Sequence, residues 1–393
     1  MQIRSTAIGW NPAPVKRSTK LVKGIPRAEP TSSGAAGAAK TKVKLPKTYK
    51  RLVAKKTGDS FRDVATVVEK PLPTPAENEV LVRVQYAGIN GGCETFRARG
   101  DHIFAKNTEL EEFGLGAEAC GVVVATGKDV DTLKVGDNVA YSAMSAFSQY
   151  SVSSVDRCLK VDMCSPEMAA LALSAVIACA SIENVLEVKS GDTVLVTAAA
   201  GGTGHFAVQF AQLAGAKVIA TCGGFHKARA LECLGLERVI DYTLEDVATV
   251  LKNEFPDGLD VVYEGVGGAM LKAALDNLAP KGKVLTIGYI SQYPHADSEK
   301  ASQPIAEGLP TPEDLFWKGM TVKRGEQTIM GTAMPKDPTV IPKCRERVFE
   351  LFREGSLRVW VDTSESFQGI ESIPDAIDHM LQGKHIGKVV VAL

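Results

Sequence analysis

Apolar and polar positions follow two different rhythms along the chain. From Tyr49 to Tyr141, short runs alternate apolar with polar side chains, most clearly at residues 79–86, and Gly and Asp clusters separate the runs. Short strands at this spacing predict a small, mostly antiparallel β domain. After Met168, strand-like runs such as residues 193–199 alternate with helix-like segments as far as residue 287. This alternation predicts an α/β fold with a parallel, doubly wound sheet beside the β-rich domain.

Two further segments complete the pattern. The longest apolar stretch covers residues 168–182, between Glu167 and Glu183. Because a bilayer needs about 20 apolar residues, this stretch predicts a buried helix and no transmembrane segment. Residues 339–393 return to alternating helix-like and strand-like runs.

The first 45 residues differ from the rest of the chain. They contain many Lys and Arg residues and a single acid, Glu29, and residues 30–40 are mostly Ser, Gly and Ala. Such a segment cannot offset its ordering entropy, so we predict a disordered basic extension. Its composition fits a transit peptide for a chloroplast or mitochondrion. The alternatives are a plain disordered tail on a cytoplasmic protein, or a basic arm that contacts membrane or RNA.

Composition excludes several classes of protein. The 45 basic and 46 acidic side chains leave a formal net charge of −1, so a dedicated nucleic-acid binder is not expected. The apolar content of 45% is ample for a large core. Eight Cys residues without paired short spacing argue against a disulfide scaffold and favour a reducing compartment.

A glycine-rich turn at residues 199–204 carries the main chemical signal. It follows an apolar strand, precedes a helix, and places Ala199, Gly201 and Gly204 at the three glycine positions of the dinucleotide fingerprint. Gly201 would let the backbone approach a pyrophosphate, and Gly204 would let the helix pack on the strand. The helix N-terminus would attract the phosphates. The alternative is a tight turn that binds no ligand.

The end of the second strand of this domain predicts which nicotinamide cofactor binds. An NAD site has an acid about 20 residues after the glycine turn, where this chain has Cys222, Gly223 and Gly224. Lys227, in the first turn of the next helix, could bind a 2′-phosphate directly. NADPH is therefore favoured over NADH. The alternative for Lys227 is an ordinary solvated position on the helix.

Five segments of the chain resemble a known family. They are residues 196–204, 239–242, 260–268, 287–293 and 383–391. Together they resemble the zinc-independent medium-chain dehydrogenase/reductases, and most of all the quinone oxidoreductase-like branch, over residues 50–393. The resemblance implies an NADPH-binding Rossmann domain at residues 171–324 and a homodimer. It also implies a discontinuous, mostly β, GroES-like catalytic domain at residues 46–170 and 325–393.

The same resemblance implies roles for individual residues. Thr203 would contact the pyrophosphate within the turn formed by Gly201, Gly202 and Gly204. The adenosine 2′-phosphate would be surrounded by Gly223, Lys227 and Tyr242. The ribose and nicotinamide would be bordered by Gly265, Ile287 and Tyr293.

The residues predict no metal site. Zinc-dependent relatives place a His before a Glu, whereas this chain reads Gly116-Ala117-Glu118. Cys93 lies near the position of a first ligand but has no His partner, and a closely spaced Cys quartet is missing.

A chain without zinc ligands favours reduction of a conjugated C=C bond over a simple ketone. Hydride would reach the β-carbon of an α,β-unsaturated ketone or aldehyde, such as an oxo-prostaglandin-like lipid or an alkenal, and hydrogen-bond donors would stabilise the enolate. Quinones accept hydride by the same logic. The candidate donors are Asn90, Tyr293 and Ser174. Asn90 could instead cap a turn, and Tyr293 could shield the cofactor.

Two other functions stay open at this point. One is a 2-enoyl thioester reductase, and the other is a catalytically idle NADPH-binding sensor or RNA-associated protein. Three departures from the family pattern leave the substrate undetermined. Residues 174–178 lack a Thr beside the nicotinamide, residues 323–327 are charged where an apolar pocket stretch is expected, and His385 replaces an Asn.

Overall fold

The structure is a computed structural model that describes residues 45–91, 112–293, 308–331, 335 and 337–393. Residues 1–44 of the predicted basic extension lie outside the described residues, as does Cys93. Residues 45–393 form one compact unit.

Strands and helices are numbered in chain order. The strands are β1 Thr48–Ala54, β2 Ala65–Pro71, β3 Glu79–Gly88, β4 Phe113–Gly114, β5 Glu118–Thr126, β6 Asn138–Ser142, β7 Tyr150–Ser154, β8 Cys158–Val161, β9 Thr193–Val196, β10 Lys217–Cys222, β11 Arg238–Asp241, β12 Leu259–Glu264, β13 Leu278–Thr286, β14 Thr321–Arg324, β15 Gln327–Met330, β16 Phe367–Gln368 and β17 Val390–Ala392. The helices are α1 Phe61–Val64, α2 Pro166–Val185, α3 Gly204–Leu213, α4 Phe225–Glu232, α5 Val247–Glu254, α6 Gly268–Asp276, α7 Pro312–Lys318, α8 Val340–Arg353 and α9 Ile373–Leu381.

The β-rich part of the fold has two sheets. The larger one has the strand order β16-β17-β3-β5-β6-β8, with β7 also paired to β3, and the smaller one has the order β2-β1-β4. The central strand β3 pairs antiparallel with both β5 and β17. The last strand of the chain thus joins the larger sheet beside β3, so this sheet combines residues from both ends of the described chain.

The second part of the fold is a seven-stranded sheet with the order β11-β10-β9-β12-β13-β15-β14. All neighbouring pairs from β11 to β15 are parallel. The order reverses between β9 and β12, which is the topological switch point where doubly wound folds bind ligands. The predicted fold class is confirmed.

The edge hairpin corrects one predicted domain boundary. Strand β14 pairs antiparallel with β15, and β15 pairs in parallel with β13, with Val284 opposite Ile329. The predicted division between residues 324 and 325 therefore cuts through the nucleotide sheet. The charged stretch at residues 323–327 lies in this edge hairpin, where Gly325 turns the chain with a φ of 61°, and none of these residues lines the cleft described below.

The apolar helix α2 is longer than the sequence predicts. It has 20 residues and a mean hydropathy of 1.8 over its most apolar window, so its length alone would allow it to cross a membrane. The prediction that the segment is too short for this was wrong. However, 72% of that window is buried inside the fold, which confirms the prediction of a buried helix. Residues Leu171–Ala175 and Ala180–Val185 are π-helical, which changes the direction of their backbone N–H groups.

Candidate functional site

A cleft of about 460 Å³ lies at the switch point of the parallel sheet. The glycine turn forms one wall and residues 380–389, which lead into β17, form another. The structure brings together every predicted site residue but Ser174 along this cleft, namely Asn90, Gly201, Gly202, Thr203, Gly204, Gly223, Lys227, Tyr242, Gly265, Ile287 and Tyr293.

The glycine turn has the geometry that its sequence predicts. A Cβ atom at Gly204 would lie 2.3 Å from the carbonyl oxygen of Ala198, so only glycine lets α3 approach β9 this closely. A Cβ atom at Gly201 would point into the cleft, 3.1 Å from the same oxygen and 3.9 Å from Nε2 of His385. Because the first N–H groups of a helix have no intrahelical acceptor, this turn fits a pyrophosphate.

A second backbone segment, residues 383–388, runs along the glycine turn. The Gly387 amide donates to the carbonyl oxygen of Ala200 at 2.8 Å, and Gly387 bridges to Gly201. Gly387 has a φ of 80°, and a Cβ atom there would lie 2.2 Å from the carbonyl oxygen of Trp360. Only glycine fits this crossing, which joins the C-terminal segment to the phosphate turn.

The buried side chain of His205 connects the glycine turn to the backbone at Trp360. Its Nδ1 lies 2.9 Å from the carbonyl oxygen of Gly201, and its Nε2 accepts a hydrogen bond from the Trp360 amide at 3.2 Å. These partners place the proton on Nδ1, which donates to Gly201. Burial lowers the pKa of His205 to about 4, so the ring is neutral. No sequence pattern identifies His205 as part of the site.

The predicted 2′-phosphate end of the cleft is built around Gly223. A Cβ atom there would lie 2.5 Å from the hydroxyl of Tyr242, so glycine allows the tyrosine ring to cover the backbone. Lys227 Nζ donates to the carbonyl oxygen of Gly383 at 2.5 Å, and burial lowers the pKa of Lys227. The predicted cation therefore lines the cleft and is half-buried there.

Asp241 is an acid near this end, but it does not line the cleft and is not placed to bind a ribose hydroxyl. Asp241 Oδ1 accepts from the Gly224 amide at 2.8 Å and from the Thr243 hydroxyl at 2.7 Å. The hydrogen bond from Gly224 holds the pKa of Asp241 below its usual range. Asp241 thus fixes the backbone at Gly224, where φ is 100°, and that oxygen is bound to the protein itself.

Asn90 and Ser174 meet in a buried polar cluster that also contains Glu118 and Lys388. Lys388 Nζ donates to Asn90 Oδ1 and to Ser174 Oγ, both at 2.8 Å, and forms an ion pair with Glu118. Asn90 Nδ2 donates to Glu118 Oε1 at 2.8 Å. The amides of Leu173 and Ser174, freed by the π-helical turn, donate to Glu118 Oε2 at 2.9 and 3.2 Å.

This cluster changes the roles predicted for two residues. Ser174 is only 2% exposed and does not line the cleft, so its hydroxyl serves the cluster and not a substrate. The Asn90 side chain lines the cleft, but both of its polar atoms are bound within the cluster. No sequence pattern identifies Lys388, and the Gly116-Ala117-Glu118 segment marks Glu118 only as part of a metal motif.

Tyr293 lies at the nicotinamide end that the resemblance predicts. A Cβ atom added to Gly91 would lie 3.6 Å from the Tyr293 ring, and one added to Gly288 would lie 2.9 Å from the Tyr293 hydroxyl. Beneath the neighbouring loop, buried Glu264 accepts from the amides of Val266 and Gly267 at 2.7 and 3.0 Å. Burial raises the pKa of Glu264 to about 7.

The part of the chain that the structure describes contains no group of three or more His, Cys, Asp or Glu side chains placed to hold a metal ion. The predicted absence of a metal site stays a prediction, because Cys93 is outside that part.

Comparison with known proteins agrees with this geometry. Residues 202–340 match the family described as zinc-binding dehydrogenase, and residues 76–165 match the alcohol dehydrogenase GroES-like domain. Prostaglandin reductase-3 of Mus musculus is 36% identical, over 89% of this chain and 90% of its own length. The chain belongs to the medium-chain dehydrogenase/reductase family.

Other members of the medium-chain dehydrogenase/reductase family resemble it over a similar length. The probable quinone oxidoreductase of Leishmania amazonensis is 34% identical, over 88% of this chain and 99% of its own. A mycobacterial structure complexed with NADPH superposes with a TM-score of 0.70 at 26% identity, covering 88% of this chain and all of that one. These likenesses confirm the predicted family.

Proposed function

We propose that this medium-chain dehydrogenase/reductase is an NADPH-dependent reductase of α,β-unsaturated ketones and aldehydes, such as alkenals and oxo-prostaglandin-like lipids, or of quinones. The observation that carries the proposal is the cleft at the switch point, where the glycine turn, the half-buried Lys227 and an apolar end lie in one groove. The mouse relative is named a prostaglandin reductase and the Leishmania relative a probable quinone oxidoreductase, and both names support this class of reaction.

The residues of the cleft fit NADPH at each of its charged parts. Gly201 leaves room beside the turn for a pyrophosphate, and Lys227 faces the position of a 2′-phosphate. His385 lines the cleft with Nε2 3.9 Å from a Cβ position on Gly201, where it would donate to a phosphate oxygen. When bound, NADPH would supply a hydride to the β-carbon of the substrate.

The chain's own residues would then handle the substrate. Met380, Leu381 and Ile290 line the cleft near Tyr293 and would bind an apolar substrate body. Tyr293 is the predicted donor that remains suited to an enolate oxygen, because its hydroxyl lies beside Gly288 at the cleft. Asn90 would hold the adjacent backbone in place through Lys388 and Glu118, which makes it a positioning residue.

Steady-state loss of absorbance at 340 nm tests the proposal. We expect the purified full chain to oxidise NADPH with alkenals, oxo-prostaglandin-like enones or quinones. Turnover only with 2-enoyl thioesters would replace the proposed substrate class by that of a thioester reductase. NADPH fluorescence that shifts on binding, without oxidation by any acceptor, would show an idle binder and contradict the proposal.

Lys227→Ala is expected to remove most of the preference for NADPH over NADH. A charge-assisted hydrogen bond contributes about 1.5–3 kcal/mol, so the ratio of the two dissociation constants should fall about 10- to 100-fold. Titration of protein fluorescence with each nucleotide measures this ratio. Arg229→Ala is the matched control, because Arg229 lies on the same helix but is paired with Glu232 outside the cleft. An unchanged ratio in Lys227→Ala would remove Lys227 from the phosphate site.

A further inference from the structure

His385 occupies an unusual position in the wall of the cleft. It lies on the segment that crosses the glycine turn, and its Nε2 is 3.9 Å from a Cβ position on Gly201. Its Nδ1 is buried and has no hydrogen-bond partner among the described residues. His385 lines the cleft, and Nε2 is the ring nitrogen that faces the glycine turn, so it is the atom that a phosphate oxygen at the turn would reach.

Charged groups surround this imidazole from each neighbouring element. Lys227 faces it from α4 and Lys388 from its own segment, and both disfavour its protonation. His379 on α9 lies with its ring centroid 6.4 Å from that of His385. Asp362 is bound to His379 Nε2 at 2.9 Å and accepts from the Ile386 amide at 3.1 Å, which anchors the residue next to His385.

The free protein keeps His385 neutral. Burial, followed by the charge of Lys227, lowers the pKa of His385 to about 4, although Asp362 acts in the opposite direction. A neutral imidazole has one N–H donor and one acceptor, whereas the protonated ring has two donors. An anion placed between His385 and Lys227 would reverse the electrostatic balance, because it attracts a proton to the ring and screens the lysine.

We propose that His385 binds the pyrophosphate of the cofactor and takes up a proton from solvent when the cofactor binds. This inference rests on the proposed function, since it requires a polyanionic nucleotide at the glycine turn. The proton adds to a ring nitrogen and leaves again when the nucleotide dissociates, so no bond of the cofactor changes. Affinity should therefore rise as the pH falls through the pKa that His385 has in the complex.

Titration calorimetry of the full chain with NADPH tests this without any turnover. At pH 6.5, the heat is measured in buffers of different ionisation enthalpy, and its dependence on the buffer gives the number of protons taken up. We expect wild type to take up about half a proton more than His385→Asn, because the asparagine can donate a hydrogen bond but cannot ionise. His226→Asn is the control, since His226 is exposed on α4 and should leave the uptake unchanged.

The cofactor has a titrating group of its own. The comparison of wild type with the variant removes the contribution of this group to the proton uptake. A phosphate monoester titrates near pH 6, so the 2′-phosphate of NADPH contributes equally in wild type and variant and cancels in the difference. NADH lacks this group and should show the same difference. The loss of affinity in His385→Asn should also be about fourfold larger at pH 6 than at pH 8.5.

Two results would overturn the inference, and they differ from each other. Equal proton uptake in wild type and His385→Asn, with NADPH still bound, would reject the role of His385 and leave the proposed function intact. No binding of NADPH by wild type would reject the proposed function itself, and the inference with it.

Discussion

Gly201→Val is expected to abolish NADPH binding while the protein still folds. The Cβ atom at this position lies between the carbonyl oxygen of Ala198 and Nε2 of His385, so the two γ-methyl groups of valine would fill the space beside the turn. A pyrophosphate needs that space, because it must approach the backbone N–H groups closely. We expect the affinity to fall at least about 100-fold, which corresponds to about 2.8 kcal/mol of binding free energy.

Calorimetry with NADPH, together with a thermal melt, checks this prediction. Gly201→Ala is the graded control, because its methyl group alone would lie 3.1 Å from Ala198 and 3.9 Å from His385, so it should cost far less affinity. If the Gly201→Val variant bound NADPH with an affinity within threefold of wild type, and its melting temperature were unchanged, the phosphates would have to bind elsewhere.

The doubly wound sheet could be predicted because its signal is local. Strands of a parallel sheet are covered on both faces, so β9 and β10 read as nearly continuous apolar runs. The glycine turn could be predicted for the same reason, since Gly201 and Gly204 are needed by contacts within a few residues, such as that with Ala198. Local patterns therefore located most of the cleft.

The polar cluster could not be predicted because its contacts are distant in sequence. Asn90 and Lys388 are 298 positions apart, and Ser174 and Glu118 are 56 positions apart. No periodicity links such residues, and a charged Lys near the end of a strand-like run is usually solvated. The π-helical turn that presents the Ser174 amide to Glu118 has no simple sequence signal either.

The place of the edge hairpin could not be predicted, for a related reason. Charge at Lys323 and Arg324 departs from the family pattern, and this departure predicts a change in a substrate pocket. In the structure, Arg324 donates to the carbonyl oxygen of Leu275 at 2.8 Å, and Lys323 donates to Thr328 across the hairpin. The pairing of β15 with β13, which decides their place, is a tertiary contact that the sequence does not encode locally.

Breaking the Glu118–Lys388 pair is expected to cause the largest loss of stability of any change in the β-rich part of the site. Glu118 is fully buried and Lys388 is 2% exposed. Because water cannot solvate these charges, each one is stabilised by the other. Removing one partner of a buried ion pair leaves an uncompensated charge and costs about 3–5 kcal/mol. Lys388→Met and Glu118→Gln should each lower the free energy of unfolding by about this amount.

Urea unfolding of the two single variants and the double variant measures the coupling between the charges. Lys388→Met leaves the Glu118 carboxylate with donors only from Asn90, Leu173 and Ser174, whereas the double variant leaves no buried charge in the pair. The double variant should therefore lose at least about 2 kcal/mol less than the sum of the single losses.

An exposed ion pair provides the matched control for this cycle. Lys272 and Asp276 are paired one turn apart on α6, with side chains 64% and 55% exposed. Because water solvates both of these charges, Lys272→Met should cost less than about 0.5 kcal/mol. If Lys388→Met were as mild as Lys272→Met, the ammonium group would not hold Asn90 and Ser174 in place. The cluster would then have no part in positioning the wall of the cleft.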